Sequence, residues 1–113
     1  MLYVDFTAGD RNYRLRLTTR AIVALEKQLG SNPLAIFGDG EKQVIPPITT
    51  MVQVLHASLQ AYEHGITLEK AYEIFDSYLE NNTMTDFLPV ILEIYKVSGL
   101  ITRDEKADTE KNA

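Results

Sequence analysis

Apolar residues recur at every second position near the N-terminus and at three- and four-residue steps thereafter, so the chain reads as strand first and helix afterwards. Leu2, Val4 and Phe6 alternate with Tyr3, Asp5 and Thr7, and Tyr13, Leu15 and Leu17 alternate with Arg14 and Arg16. The Gly9-Asp10-Arg11-Asn12 cluster between the two runs predicts a β-hairpin. A lone hairpin is marginal in water, so Leu2, Val4, Phe6, Tyr13, Leu15 and Leu17 are expected to lie on helices. Arg14 and Arg16 then point outwards, as a solvated strand face rather than a patch for an acidic partner.

Helical spacing takes over at Thr18 or Thr19, which caps a helix to about Leu29 with Ile22, Leu25 and Leu29 on one face and Gly30 as its stop. Pro33 suits the first position of a short turn through Leu34, Ala35, Ile36 and Phe37. Residues 38–47, Gly-Asp-Gly-Glu-Lys-Gln-Val-Ile-Pro-Pro, form the clearest loop. A second helix, about Ile48 to Tyr62, sets Thr49, Gln53, His56, Gln60 and Glu63 on a polar stripe opposite Val52, Leu55, Leu59 and Tyr62. After Gly65, Thr67 caps a third helix to about Glu80. Leu68, Ala71, Tyr72, Phe75, Tyr78 and Leu79 should face inward and Glu69, Lys70, Glu73, Asp76 and Ser77 outward. Asn81-Asn82 then turns the chain.

The fourth helix, about Asp86 to Ser98, is apolar nearly all round: Phe87, Leu88, Val90, Ile91, Leu92, Ile94, Tyr95 and Val97. Asp86, Glu93 and Lys96 share a narrow stripe with Pro89, which makes this helix the expected spine of the core. Thr85 is preferred as its N-cap over a Thr83–Asp86 capping box, because the later start keeps Pro89 in the first turn. Gly99 suits the left-handed stop. Truncating Ile91 or Leu92 to alanine should then approach about 2–5 kcal/mol, and Glu73→Ala should cost little. From Thr102 to Ala113 no large apolar residue occurs, so a disordered tail is expected. The fold class is α+β, mainly α: an N-terminal β-hairpin packed on a bundle of about four helices, a single globular domain over residues 1–101 followed by the tail.

The 113-residue length favours one domain, and 45% hydrophobic and 24% charged residues are ordinary for a globular protein. A formal net charge of -5 argues against a nucleic-acid partner, which requires a basic footprint. The absence of cysteine removes disulfides, a thiolate nucleophile and Cys-based zinc sites, and suits a reducing cytoplasm. The fourth helix is too short to span a bilayer, and the N-terminus carries no signal-peptide pattern, so no membrane partner is expected.

Catalytic constellations are scarce. His56 and His64 would need Glu63 or Glu69 at close range to hold a metal, and their helix-turn setting lacks H-E-x-x-H spacing, so no metal is expected. Glu73, Asp76 and Glu80 recur along one helix face and read as solvated. No serine has a nucleophile-elbow setting and no glycine run resembles a phosphate loop. The expectation is a non-enzyme with no cofactor. The candidate partner-binding residues are Phe37, Val44 and Ile45. Exposed, Val44 and Ile45 make a docking patch; tucked under the core they are ordinary packing, the commoner fate of such a pair.

Two blocks carry a family likeness. The first is Arg16-Leu17-Thr18-Thr19-Arg20-Ala21-Ile22-Val23-Ala24-Leu25-Glu26-Lys27-Gln28-Leu29-Gly30-Ser31-Asn32-Pro33-Leu34. The second runs from Leu55-His56-Ala57-Ser58-Leu59-Gln60 through His64-Gly65-Ile66-Thr67 to Met84-Thr85-Asp86-Phe87 and Gly99. Together they resemble the small tail assembly chaperones of long-tailed phages and prophages of Gram-positive bacteria, over most of residues 11–101. The likeness is to a whole domain and brings no functional residues with it.

The resemblance implies a protein of the bacterial host's cytoplasm that coats the helical tape measure protein, keeps it soluble, and helps tail tube protein polymerise around it. A homo-oligomer would fit that task. The alternative is a structural tail or head–tail joining protein retained in the virion. Such chaperones are often made in two lengths by a ribosomal frameshift. Glu110-Lys111-Asn112 can be encoded by a continuous adenine run, so the slip site is expected there; synonymous guanines interrupting that run would remove the case.

Overall fold

The computed structural model describes residues 2–38 and 44–103. Strands β1 (Val4–Ala8) and β2 (Arg11–Leu15) pair antiparallel, with Val4 opposite Leu15 and Phe6 opposite Tyr13. Gly9 and Asp10 alone make the turn. Gly9 has φ 64°, as the first central position of a type II′ turn demands, and only glycine takes it without strain. Phe6, Ala8, Tyr13, Leu15 and Leu17 are buried as the alternation required. Leu2 is not: it lies ahead of the first paired residue and is 53% exposed.

Among the described residues four α-helices follow: α1 (Thr19–Leu29), α2 (Ile48–Leu59), α3 (Leu68–Leu79) and α4 (Phe87–Val97), with a 3₁₀ turn at Pro33–Phe37 between α1 and α2. Local signals set most of their ends. Thr18 Oγ1 accepts the Ala21 N–H at 3.1 Å, and Thr67 Oγ1 accepts the Lys70 N–H at 3.0 Å. Gly30 closes α1 in the left-handed conformation. Asn32 caps the 3₁₀ turn through its side-chain oxygen, which accepts the Leu34 N–H at 2.9 Å.

The start of α4 differs from expectation. The Thr83 N–H donates to Asp86 Oδ2 at 2.8 Å, and the Asp86 N–H donates to Thr83 Oγ1 at 3.3 Å, so the reciprocal capping box forms and Thr85 is not the cap. Phe87 and Leu88 donate to carbonyls three residues back, at 3.0 and 3.2 Å, as in a tight lead-in turn. Pro89 therefore still falls in the first turn of α4, where a missing N–H leaves no bond unmade.

The spine of the core is α2, not α4. Met51, Val52, Val54, Leu55, Ala57, Ser58 and Leu59 are all buried, and α2 touches α1, α3, α4 and β2. Ser58 satisfies its buried hydroxyl by donating to the Leu55 carbonyl at 3.0 Å. By contrast α4 covers β1 and α2 with one face only, burying Phe87, Ile91, Ile94 and Tyr95. Leu88, Val90 and Val97 are half-buried and Leu92 is 40% exposed, so the stability cost expected at Leu92 does not apply. Along α3, Ile74 joins Ala71, Phe75 and Tyr78 in the core, while Leu68 and Tyr72 are exposed. Helix α2 stops at Leu59, and Tyr62 lies beyond it, its ring edge-on to Tyr3 at 5.8 Å.

Arg14 is exposed as expected, its guanidinium over the Tyr3 and Tyr62 rings at 5.1 and 5.7 Å. Arg16 is not a solvated surface charge. Its Nη1 donates to the Leu2 carbonyl at 2.8 Å and to the Val97 carbonyl at 2.9 Å, tying the segment ahead of β1 to the C-terminal end of α4. A cation is favoured there by the helix dipole. Beside it the Leu17 N–H donates to Ser98 Oγ at 2.8 Å. Arg16→Met keeps the aliphatic stem and removes both charge-assisted bonds, so it should cost about 1.5–3 kcal/mol. Arg14→Met should cost less than about 1 kcal/mol, the worth of an exposed stacking contact. Urea denaturation of the two variants compares them directly; equal losses would show that the Arg16 clasp contributes nothing special.

Of the tail expected over residues 102–113, positions from 104 onward lie outside the described residues. Arg103 still belongs to the fold, donating from Nη2 to the Val97 carbonyl at 3.3 Å.

Candidate functional site

Phe37, Val44 and Ile45 come together on one side of an apolar groove, and Leu88 and Leu92 of α4 form the other. The first wall is built from the 3₁₀ turn. Pro33 fixes its opening φ, and Phe37 is its last residue. The Phe37 carbonyl accepts the Val44 N–H at 3.1 Å, which clips the returning chain against the turn. Pro46 is buried just beyond, and the Pro47 carbonyl accepts the Met51 N–H at 3.1 Å as α2 begins. Val44 and Ile45 are thus held from both sides with their side chains outward, 49% and 60% exposed. The packed alternative favoured by the sequence is not what the fold adopts. Leu88 and Leu92 stand one helical turn apart and line up along the opposite wall. The space between has a volume of about 420 Å³.

The hollow beside α1 is built differently. Between α1 and α2 a depression of about 330 Å³ is floored by Ala21, Ala24, Leu25 and Ala57, with His56 and Gln60 on its rim. His56 is half-buried, and its Nε2 lies 2.9 Å from the Ile66 carbonyl. Gln60 Nε2 reaches the same carbonyl at 3.1 Å and the His56 carbonyl at 3.2 Å. Gln60 Nε2 also lies 3.0 Å from His56 Nε2 and donates to it when the ring proton sits on Nδ1, the Ile66 carbonyl then being served by Gln60. The two side chains pin the segment after α2. Exposed Val23, Leu34 and Leu68 are ordinary surface apolar residues.

Titratable chemistry does not converge. Among the described residues no group of three or more His, Asp or Glu side chains is placed to hold a metal ion. Glu73, Asp76 and Glu80 are exposed, and Glu73 pairs with Lys70 at 3.4 Å. Burial, and then the nearby Asp86 carboxylate, push the Tyr78 phenol above its usual value; burial alone pushes Tyr95 further. Both phenols remain neutral near pH 7. Among the described residues no helix is long and apolar enough to cross a membrane.

Sequence reasoning found one wall of the groove and missed the other. The four-residue spacing of Leu88 and Leu92 carries the signal, but on a helix apolar over nearly its whole circumference that spacing does not single out an outward stripe. A model of a family of unknown function (DUF6096) matches residues 4–113, and the chain belongs to that family. No curated protein and no solved structure gives a significant match.

Proposed function

We propose that this DUF6096 member is a non-catalytic tail assembly chaperone that grips an apolar helical segment of a tape measure protein and so aids polymerisation of tail tube protein. It acts in the cytoplasm of the bacterial host. The partner comes from the resemblance to small tail assembly chaperones; the mode of gripping comes from this chain's own surface. The observation that carries the reading is the convergence of Phe37, Val44 and Ile45 with Leu88 and Leu92 in an open apolar groove. Exposed apolar surface gathered in one place marks a site of association. A groove walled by apolar side chains suits the apolar ridge of an amphipathic helix, whose contacts recur at i, i+3 or i+4, and i+7.

Co-expression with the tape measure protein of the same genome tests this. The chaperone should move that partner from the insoluble to the soluble fraction and co-purify with it. Partner solubility that is the same with and without the chain would overturn the reading. Mass spectrometry of purified virions should find the chain depleted; retention at the level of a tail component would favour a structural tail or head–tail joining protein instead.

A further inference from the structure

We infer that Tyr95 is the positioning residue of this groove: its hydroxyl, bonded to the Pro33 carbonyl, sets where the wall carrying Phe37, Val44 and Ile45 stands relative to α4. The inference rests on the gripping role just proposed, but its geometry can be tested without any partner. Tyr95 is 1% exposed, and its hydroxyl donates to the Pro33 carbonyl at 2.8 Å. Leu88, Leu92 and Tyr95 follow at i, i+4 and i+7, so the stripe of α4 that supplies one wall also anchors the other.

The far wall hangs from that anchor in series. Pro33 opens the 3₁₀ turn that Phe37 ends, and the Phe37 ring stands edge-on to the Tyr95 ring at 6.5 Å. The Phe37 carbonyl in turn accepts the Val44 N–H. Pro33 is itself buried, so its carbonyl has little recourse to water if the tyrosine donor is removed. Because burial keeps the phenol protonated, the anchor persists through the neutral and mildly alkaline range.

Tyr95→Phe keeps the ring and deletes only the donor. Losing one such bond should raise the population of an open wall about five- to tenfold. The chain contains no tryptophan, so Phe37→Trp places a single reporter in the wall. Adding Tyr95→Phe to that reporter chain should increase acrylamide quenching of Trp emission while the far-ultraviolet circular dichroism stays unchanged. Should the reporter chain fail to fold, amide relaxation dispersion of Tyr95→Phe alone should show new exchange at Gly38 and Val44 and none along α3. Affinity for the tape measure protein should fall several-fold with it. A lowered thermal midpoint with unchanged quenching and no new exchange at Val44 would make Tyr95 a packing residue only and overturn the inference. Full partner affinity in a groove-charged Ile45→Asp chain would instead remove the gripping role and leave the Tyr95 anchor standing.

Discussion

Phe87→Ala is expected to cost about 3–5 kcal/mol, and Leu92→Ala, five positions along the same helix, no more than about 1 kcal/mol. Phe87 is fully buried where the hairpin, α3 and α4 meet. The rings of Phe6, Phe75 and Tyr78 stand edge-on to it at 5.7, 5.2 and 5.7 Å. Alanine there loses the transfer energy of the ring, leaves a cavity between elements far apart in sequence, and abolishes edge contacts worth about 0.5–1.5 kcal/mol each. Against a total stability of roughly 5–15 kcal/mol, such a loss leaves the domain marginal. Leu92 already keeps 40% of its surface in water, so its truncation forfeits little burial and opens no cavity. Urea midpoints of the two variants decide it. Equal losses would mean that α4 turns a different face to the core.

That contrast also explains what could be read from the sequence. Ends governed by neighbours within a few positions were legible: Thr18, Thr67, Gly30 and Pro33 act as their residue types require. The hairpin face was legible because a period of two leaves only one inward set. The identity of the central helix was not, because the helix richest in apolar residues is not the most buried one. A better measure lay in full charges: no Asp, Glu, Lys or Arg occurs from Val44 to Tyr62, whereas α4 carries Glu93 and Lys96. Helix α2 buries seven of its twelve residues against α1, α3, α4 and β2, and a formal charge on that surface would lose its hydration. The role of Arg16 was beyond local reading altogether, since the Val97 carbonyl that it satisfies lies 81 positions away.

The groove divides in the same way. Phe37, Val44 and Ile45 stood out as apolar residues in or beside a loop, but whether they packed or projected depended on where Pro46 and the 3₁₀ turn came to rest. Leu88 and Leu92 could be assigned to the opposite wall only after α4 was found to bury a single face. A helix richer in apolar residues than its burial demands has aliphatic surface to spare, and here that surplus lines a groove with Phe37, Val44 and Ile45.

Val44→Asp together with Ile45→Asp should therefore weaken tape measure binding by at least about tenfold while leaving the melting temperature within a degree or two. In the free chain both positions are solvated, so the new carboxylates are hydrated and the fold pays almost nothing. In the complex each would be pressed against an apolar helix face and lose that hydration without gaining a partner. Leu92→Asp, on the opposite wall, should reproduce the loss. Val23→Asp is the matched control: it is similarly exposed, at 44%, but lies on α1 outside the groove, and should bind normally. Isothermal titration with a soluble tape measure segment, alongside thermal melts, separates binding from folding. Normal affinity in the groove variants with impaired affinity in the Val23 variant would place the gripping face on α1. The two walls must fail together for the groove to be the site, because a helix seated between them touches both.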